Sequence, residues 1–167
     1  TNISLESLGM SRAVNKPFVF ITTDETYSQR AINISSEFDL NPWILGSGYE
    51  YRRLDYFSKT KPFFILPIDF PSKPNVVKPM SDLQYSTAEL KHWDIAPDNL
   101  FYLNNAGHDF SITSHYMKKK SEFRKNLQKI IDRGLSEDIV LSALTTQPAE
   151  ALGMQKSLGK IAPGYDA

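Results

Sequence analysis

The sequence predicts an α/β fold built on a parallel sheet, and three observations carry that prediction. Four short runs at 18–23 (FVFITT), 40–45 (LNPWIL), 63–68 (FFILPI) and 110–113 (FSIT) have the β-branched and aromatic composition of strands. Between successive runs lie stretches whose apolar residues recur at helical spacing. No segment repeats beyond this alternation, which is the mark of βαβ units joined by right-handed crossovers. At 167 residues and 41% hydrophobic content, the chain is long enough for one well-packed domain.

The elements follow in order. Residues 1–15 carry Ile3, Leu5, Leu8 and Met10 at weakly amphipathic spacing and read as the end of a helix ahead of the sheet. Lys16-Pro17 introduces the first strand, and Asp24 then stands where a helix cap is needed. The helix over 27–38 places Ala31, Ile32, Ile34 and Phe38 near a helical period. The second strand runs into Gly46-Ser47-Gly48, a tight strand-to-helix turn. It lacks the third glycine of a dinucleotide fingerprint and the lysine of a P-loop.

A helical piece over 49–58 follows, and Lys61-Pro62 leads into the third strand, which ends near Asp69. Residues 70–82 are proline-rich and read as a loop. Ser86 or Thr87 caps a helix through Leu90, His92 and Trp93; Pro97 breaks it, and a second helix over 99–105 closes at Gly107. His92, on a helix, reads as a packing or surface residue, and His108, in the turn before the fourth strand, as a structural one.

The fourth strand leaves Ser114 and His115 at its end. Residues 117–120, a basic run, read as a solvated entry to a helix over 121–133. That helix groups Phe123, Leu127, Ile130 and Ile131 on one face and stops at Gly134. Ser136 caps the next helix, with Glu137 and Asp138 in its favourable first turn. Thr146 is placed to cap a last short helix that holds Pro148 in its first turn and ends at Gly153. The reading is one domain over 1–167: strand–helix units over about 17–133, then closing helices and an exit turn over 134–167.

Composition removes several function classes. The formal net charge is zero, which argues against nucleic acid as a partner held by bulk electrostatics. No apolar run approaches the roughly 20 residues of a membrane span. There is no cysteine, hence no disulfide, thiolate zinc site or cysteine nucleophile; such a composition fits the cytoplasm and the exterior equally.

The closing segment, GLSEDIVLSALTTQPAEALGMQKSLGKIAPGYDA, resembles the C-terminal signature of the metal-dependent amidohydrolase superfamily, A-x-T-x-x-P-A-x-x-L-G followed by L-G-x-I-x-x-G-x-x-A-D. The matching residues are Ala143, Thr145, Pro148, Ala149, Leu152, Gly153, Leu158, Gly159, Ile161 and Gly164, with Asp166 and Ala167 at the end. The run KPFVFITTD, then LNPWILGSG, then FFILP is similar to strands five to seven of imidazolonepropionase-like members, which makes 110–113 the eighth. The resemblance implies the C-terminal half of a TIM (β/α)8 barrel. A whole barrel takes about 250 residues, and the chain opens on Thr1, so the expectation is a fragment of a larger protein, itself inactive.

The resemblance also implies chemistry for the intact parent: hydrolysis of non-peptide C–N bonds in a small-molecule substrate, with a divalent metal such as zinc activating water. Active members place a His-x-His pair on strand one, histidines after strands five and six, and an aspartate after strand eight. Here the ends of the three later strands read Thr22-Thr23-Asp24, Gly46-Ser47-Gly48 and Ser114-His115, all departing from that pattern. No metal is therefore expected in this fragment, and a catalytically degenerate scaffold or binding module is the alternative.

His115 is the candidate catalytic residue, as a base or metal ligand in place of the aspartate, or else an ordinary loop histidine. Asp24, Ser47, Asp69 and Ser114 are the candidate substrate-binding residues, with capping or loop solvation as the competing roles for the two aspartates. A half-barrel has two open sheet edges and a bare inner face, so the fragment is expected to self-associate.

Overall fold

The computed structural model describes residues 3–75 and 84–166. Four strands, β1 (Pro17–Ile21), β2 (Asn41–Leu45), β3 (Phe63–Pro67) and β4 (Phe110–Thr113), form one sheet in the order β1-β2-β3-β4, and every pair is parallel. Parallel neighbours need crossovers, and helices supply them. Helix α2 (Glu25–Glu37) joins β1 to β2, and α3 (Leu54–Thr60) joins β2 to β3. Helices α4 (Thr87–Ile95) and α5 (Asn99–Asn105) lie between β3 and β4. Helix α1 (Ile3–Ala13) precedes the sheet, while α6 (Phe123–Asp132), α7 (Glu137–Leu144) and α8 (Thr146–Ala151) follow it. The parallel α/β architecture predicted from the sequence is the one observed.

Register explains the layering. Phe20, Ile44, Phe64 and Phe110 align across the four strands, and Leu66 aligns with Ile112. Aligned residues share a face, and this one is covered by helices. Ile32, Phe57, Leu100, Leu103, Ile130 and Val140 join the strand residues in one core. Phe57 meets the Phe64 ring edge-on at 5.3 Å. The opposite face carries the rows Val19–Trp43–Phe63 and Ile21–Leu45–Ile65–Ser111. There Val19 and Ile21 are 53% and 67% exposed, and Trp43, Phe63 and Ile65 are half-buried. Helices on one side and an open apolar face on the other are the two surfaces of a barrel wall.

The sequence reading shifts in its details. β1 stops at Ile21, two residues early. The helix expected over 49–58 divides into a 3₁₀ turn (Glu50–Arg52) and α3, separated by Arg53 at φ −138°, ψ 33°. The entry to α6 is likewise a 3₁₀ turn (Lys120–Glu122), and Met117 before it is buried rather than solvated. Helix α8 takes Thr145, not Thr146, as its N-cap residue, and Thr146 is its first helical residue. Of the loop expected over 70–82, residues 70–75 have no regular structure and the rest fall outside the described residues. Helix α1 buries none of its residues.

The sheet's far edge is tied to the closing helices. The Phe110 N–H on β4 donates to Gln147 Oε1 of α8 at 2.8 Å. The exit turn docks where α7 meets α8 through Gly159, at φ +89°, where a Cβ would stand 2.9 Å from the Thr145 carbonyl oxygen and 3.0 Å from Ala149 Cβ. Only glycine fits both the conformation and the space. No helix among the described residues is long and apolar enough to cross a membrane.

Candidate functional site

In parallel α/β sheets, ligands bind beyond the C-terminal ends of the strands, and here each end is held by a separate local device. At β1, the buried Thr22 donates its N–H and its hydroxyl to the Leu45 carbonyl at 3.1 and 3.0 Å, and its oxygen lies 3.0 Å from Ser28 Oγ. Asp24 caps α2, its Oδ1 accepting the Thr26 and Tyr27 N–H groups at 2.8 and 2.9 Å. At β3, Asn126 of α6 donates to the Ile68 carbonyl at 2.7 Å, leaving Asp69 exposed beyond it. At β4, Thr113 Oγ1 accepts the His115 N–H at 3.1 Å, and the chain reverses through Tyr116 at φ +66°.

The end of β2 is organised by Glu50, which is fully buried. Its Oε1 accepts the Ser47 N–H at 2.7 Å and the Ser47 hydroxyl at 3.3 Å. Its Oε2 accepts the Gly48 N–H at 3.1 Å and the Asn99 side-chain amide at 2.7 Å. Asn99 in turn uses Oδ1 to accept the Tyr51 N–H at 2.8 Å. A Cβ on Gly46 would fall 2.6 Å from Glu50 Oε1, so the Gly-Ser-Gly turn is a cradle for this carboxylate.

Just past Glu50, Arg52 lies over the Tyr49 ring at 4.4 Å, and His92 stacks on Tyr49 with centroids 3.7 Å apart. His92 Nδ1 is 3.2 Å from Tyr51 Oη. Burial, with the nearby Arg52 charge as the lesser cause, holds the His92 pKa down to about 4. His108 is also buried, against the edge of Phe64, and burial lowers its pKa too; neither ring nitrogen has a hydrogen-bond partner among the described residues.

The strand ends enclose a depression of about 320 Å³ lined by Thr22, Thr23, Ser47, Pro67, Asp69 and Tyr116. Two of the five residues singled out from the sequence, Ser47 and Asp69, therefore meet there. Asp24 lies to one side, in a second hollow with Glu25 and Arg52. Ser114 is half-buried outside the lining, its carbonyl accepting the Met117 N–H at 3.2 Å. His115 is exposed, its ring 4.2 Å from that of Tyr116 and likewise outside the lining. Sequence reasoning missed Glu50, Thr22 and Tyr116. The one signal present was the G-S-G-x-E spacing.

No protein-family model and no curated protein matches the chain. Solved structures do. An amidohydrolase from Thermotoga maritima superposes with a TM-score of 0.73 at 21% identity, covering all of this chain and 40% of that one. The chain has the fold of part of an amidohydrolase. A second amidohydrolase gives 0.62 at 13% identity over 95% of this chain. A prolidase solved in complex with N-methylphosphonate-L-proline gives 0.60 at 17% over 94%. The chain spans about two fifths of the length of each.

Amidohydrolases that bind metal need a convergent set of donors, so the strand ends can be tested for one. Among the described residues Asp69 is the only carboxylate lining the depression, and no imidazole lines it. Among the described residues no three His, Asp or Glu side chains are grouped to share an ion. The described residues do not by themselves fit a divalent metal.

Two outcomes follow from this geometry. Glu50→Gln replaces one acceptor oxygen by an amide that faces either the Ser47 donors or those of Gly48 and Asn99. Asn99 cannot flip in response without losing the Tyr51 N–H. The expected cost is about 1–3 kcal/mol, read as a lower urea midpoint at unchanged m-value. For His92, the folded pKa of about 4 lies below the unfolded value near 6.5. The unfolded chain therefore binds the extra proton first, and the contribution present above pH ~6.5 is lost as pH falls toward about 4. His92→Phe should flatten the stability–pH curve in that window relative to wild type, as followed by urea denaturation.

Proposed function

We propose that the chain is the C-terminal part of an amidohydrolase-like barrel that serves as a binding or scaffold module and supplies no metal ligands of its own. The observation that carries this reading is the state of the strand ends. Thr22, Asp24, Ser47 and Thr113 all stand where ligand-bearing loops begin, and every one is engaged in a structural bond, Thr22 to the end of β2 and the other three within their own loops. The polar depression beside them suits a small polar molecule, with the Ser47 and Thr23 hydroxyls and the Asp69 carboxylate as its contacts.

A second reading keeps metal-dependent hydrolysis of non-peptide C–N bonds, of the imidazolonepropionase-like kind, for a longer parent protein. The fold likeness favours it, as does the accessible His115 imidazole at the end of β4. When bound, the metal would supply an activated water. The ligands would have to come chiefly from residues outside this chain.

Metal analysis of the longest natural form of the protein, purified without chelators, separates the readings. The binding-module reading expects no stoichiometric zinc and no loss of fold in His115→Ala. Tightly bound zinc that is lost in His115→Ala would sink it. We also propose that this chain self-associates through the β1 edge and the open apolar face. Sedimentation is expected to show mass growing with concentration, and a clean monomer at high concentration would contradict that.

A further inference from the structure

Outside the barrel mouth, the segment after β2 and helices α4 and α5 form a separate pocket of about 520 Å³. Its polar groups are Arg52, Lys91 and the Tyr51 phenol, and its apolar wall is Leu54, Ile95 and Tyr102. Among the described residues no carboxylate lines it. Among the described residues the only acidic partner of Arg52 is Glu25, 3.5 Å from Nη1, and Glu25 lines the neighbouring hollow rather than this pocket. Lys91 is exposed and bonds to no protein group among the described residues.

Arg52 is set in place before any ligand arrives. Its Nε–H donates to Tyr51 Oη at 3.4 Å, and its guanidinium lies 4.4 Å from the Tyr49 ring centroid and 5.7 Å from that of Tyr51. His92 backs the same rings, stacked on Tyr49 and within 3.2 Å of Tyr51 Oη. A guanidinium fixed in this way loses little further freedom on binding and keeps Nη2 free to pair with a planar anion. A plain surface arginine has neither property.

We propose that this pocket binds a small monoanion with a flat apolar body, of the arylcarboxylate class. The carboxylate pairs with Arg52 and Lys91, and the body lies on Leu54, Ile95 and Tyr102. The site is distinct from the strand-end depression, and the proposal does not depend on the function assigned to that depression.

The test titrates 1-naphthoate, and 1-naphthylmethanol as its uncharged counterpart, into the protein by calorimetry and by amide chemical-shift mapping. The expected result is saturable one-site binding of the acid, with shifts at Leu54, Lys91 and Tyr102 and none at Ile21 or Ile65. Affinity should fall about ten-fold in Arg52→Gln, fall by a smaller factor in Lys91→Gln, and weaken as salt is raised. Lys91→Gln changes an exposed helical residue, so it decides the matter should Arg52→Gln disturb the fold. Equal affinity for the acid and the alcohol would overturn the proposal. So would unchanged affinity in both variants, shifts centred on Ile21 and Ile65, or no binding at millimolar acid.

Discussion

A carboxylate sealed inside a protein without a cation is costly unless its oxygens are satisfied, and Glu50 meets that condition with four donors. Two are successive backbone N–H groups, an arrangement that concentrates positive dipole on an anion. The knot fixes three things together: the turn at the end of β2, the docking of α5 through Asn99, and the start of the segment carrying Tyr51 and Arg52. The hydroxyl side of the strand-end depression and the guanidinium of the outer pocket hang from this one buried group. Their spacing is a property of the fold and not of flexible loops.

The nature of the strand ends follows from side-chain length. Threonine and serine hydroxyls are short, and they reach only the nearest acceptor of the adjacent strand or of their own loop, as Thr22 reaches the Leu45 carbonyl and Ser47 reaches Glu50. An imidazole at the same position extends beyond the loop into the space enclosed by the sheet. Short polar residues at the ends of β1 and β2 therefore convert positions able to present a ligand into positions that brace the wall. What remains accessible among the described residues is a polar floor with one carboxylate, Asp69, in its lining.

The strands were legible because their apolar residues are packed by helices on one face and retain β-branched or aromatic character on the other. The closing helices were legible because Ser136, Gly134 and Gly153 mark their limits in the expected way. What stayed hidden depends on tertiary partners. Arg53 breaks a helix without a proline or glycine to signal it, and Thr145 rather than Thr146 takes the cap position without a side-chain bond. Beyond the G-S-G-x-E spacing nothing marked Glu50, because glutamate is among the least buried residue types and its fourth donor comes from Asn99, 49 positions away. Of the residues singled out from the sequence, Ser47 and Asp69 line the depression, while His115 lies outside its lining, next to Tyr116 at φ +66°.

The Gln147 side chain makes the two rims of the sheet unlike. Along a strand, alternate residues turn their amide and carbonyl groups to opposite sides. Thr22 faces β2, so Val19 and Ile21 face outward on β1, and Phe110 and Ile112 do so on β4. A strand arriving at β1 meets N–H groups ready to pair. One arriving at β4 finds the first donor already bound to α8 and must displace a glutamine or pair beyond it. The sheet is thus polarised for growth, with one side receptive and the other partly stoppered.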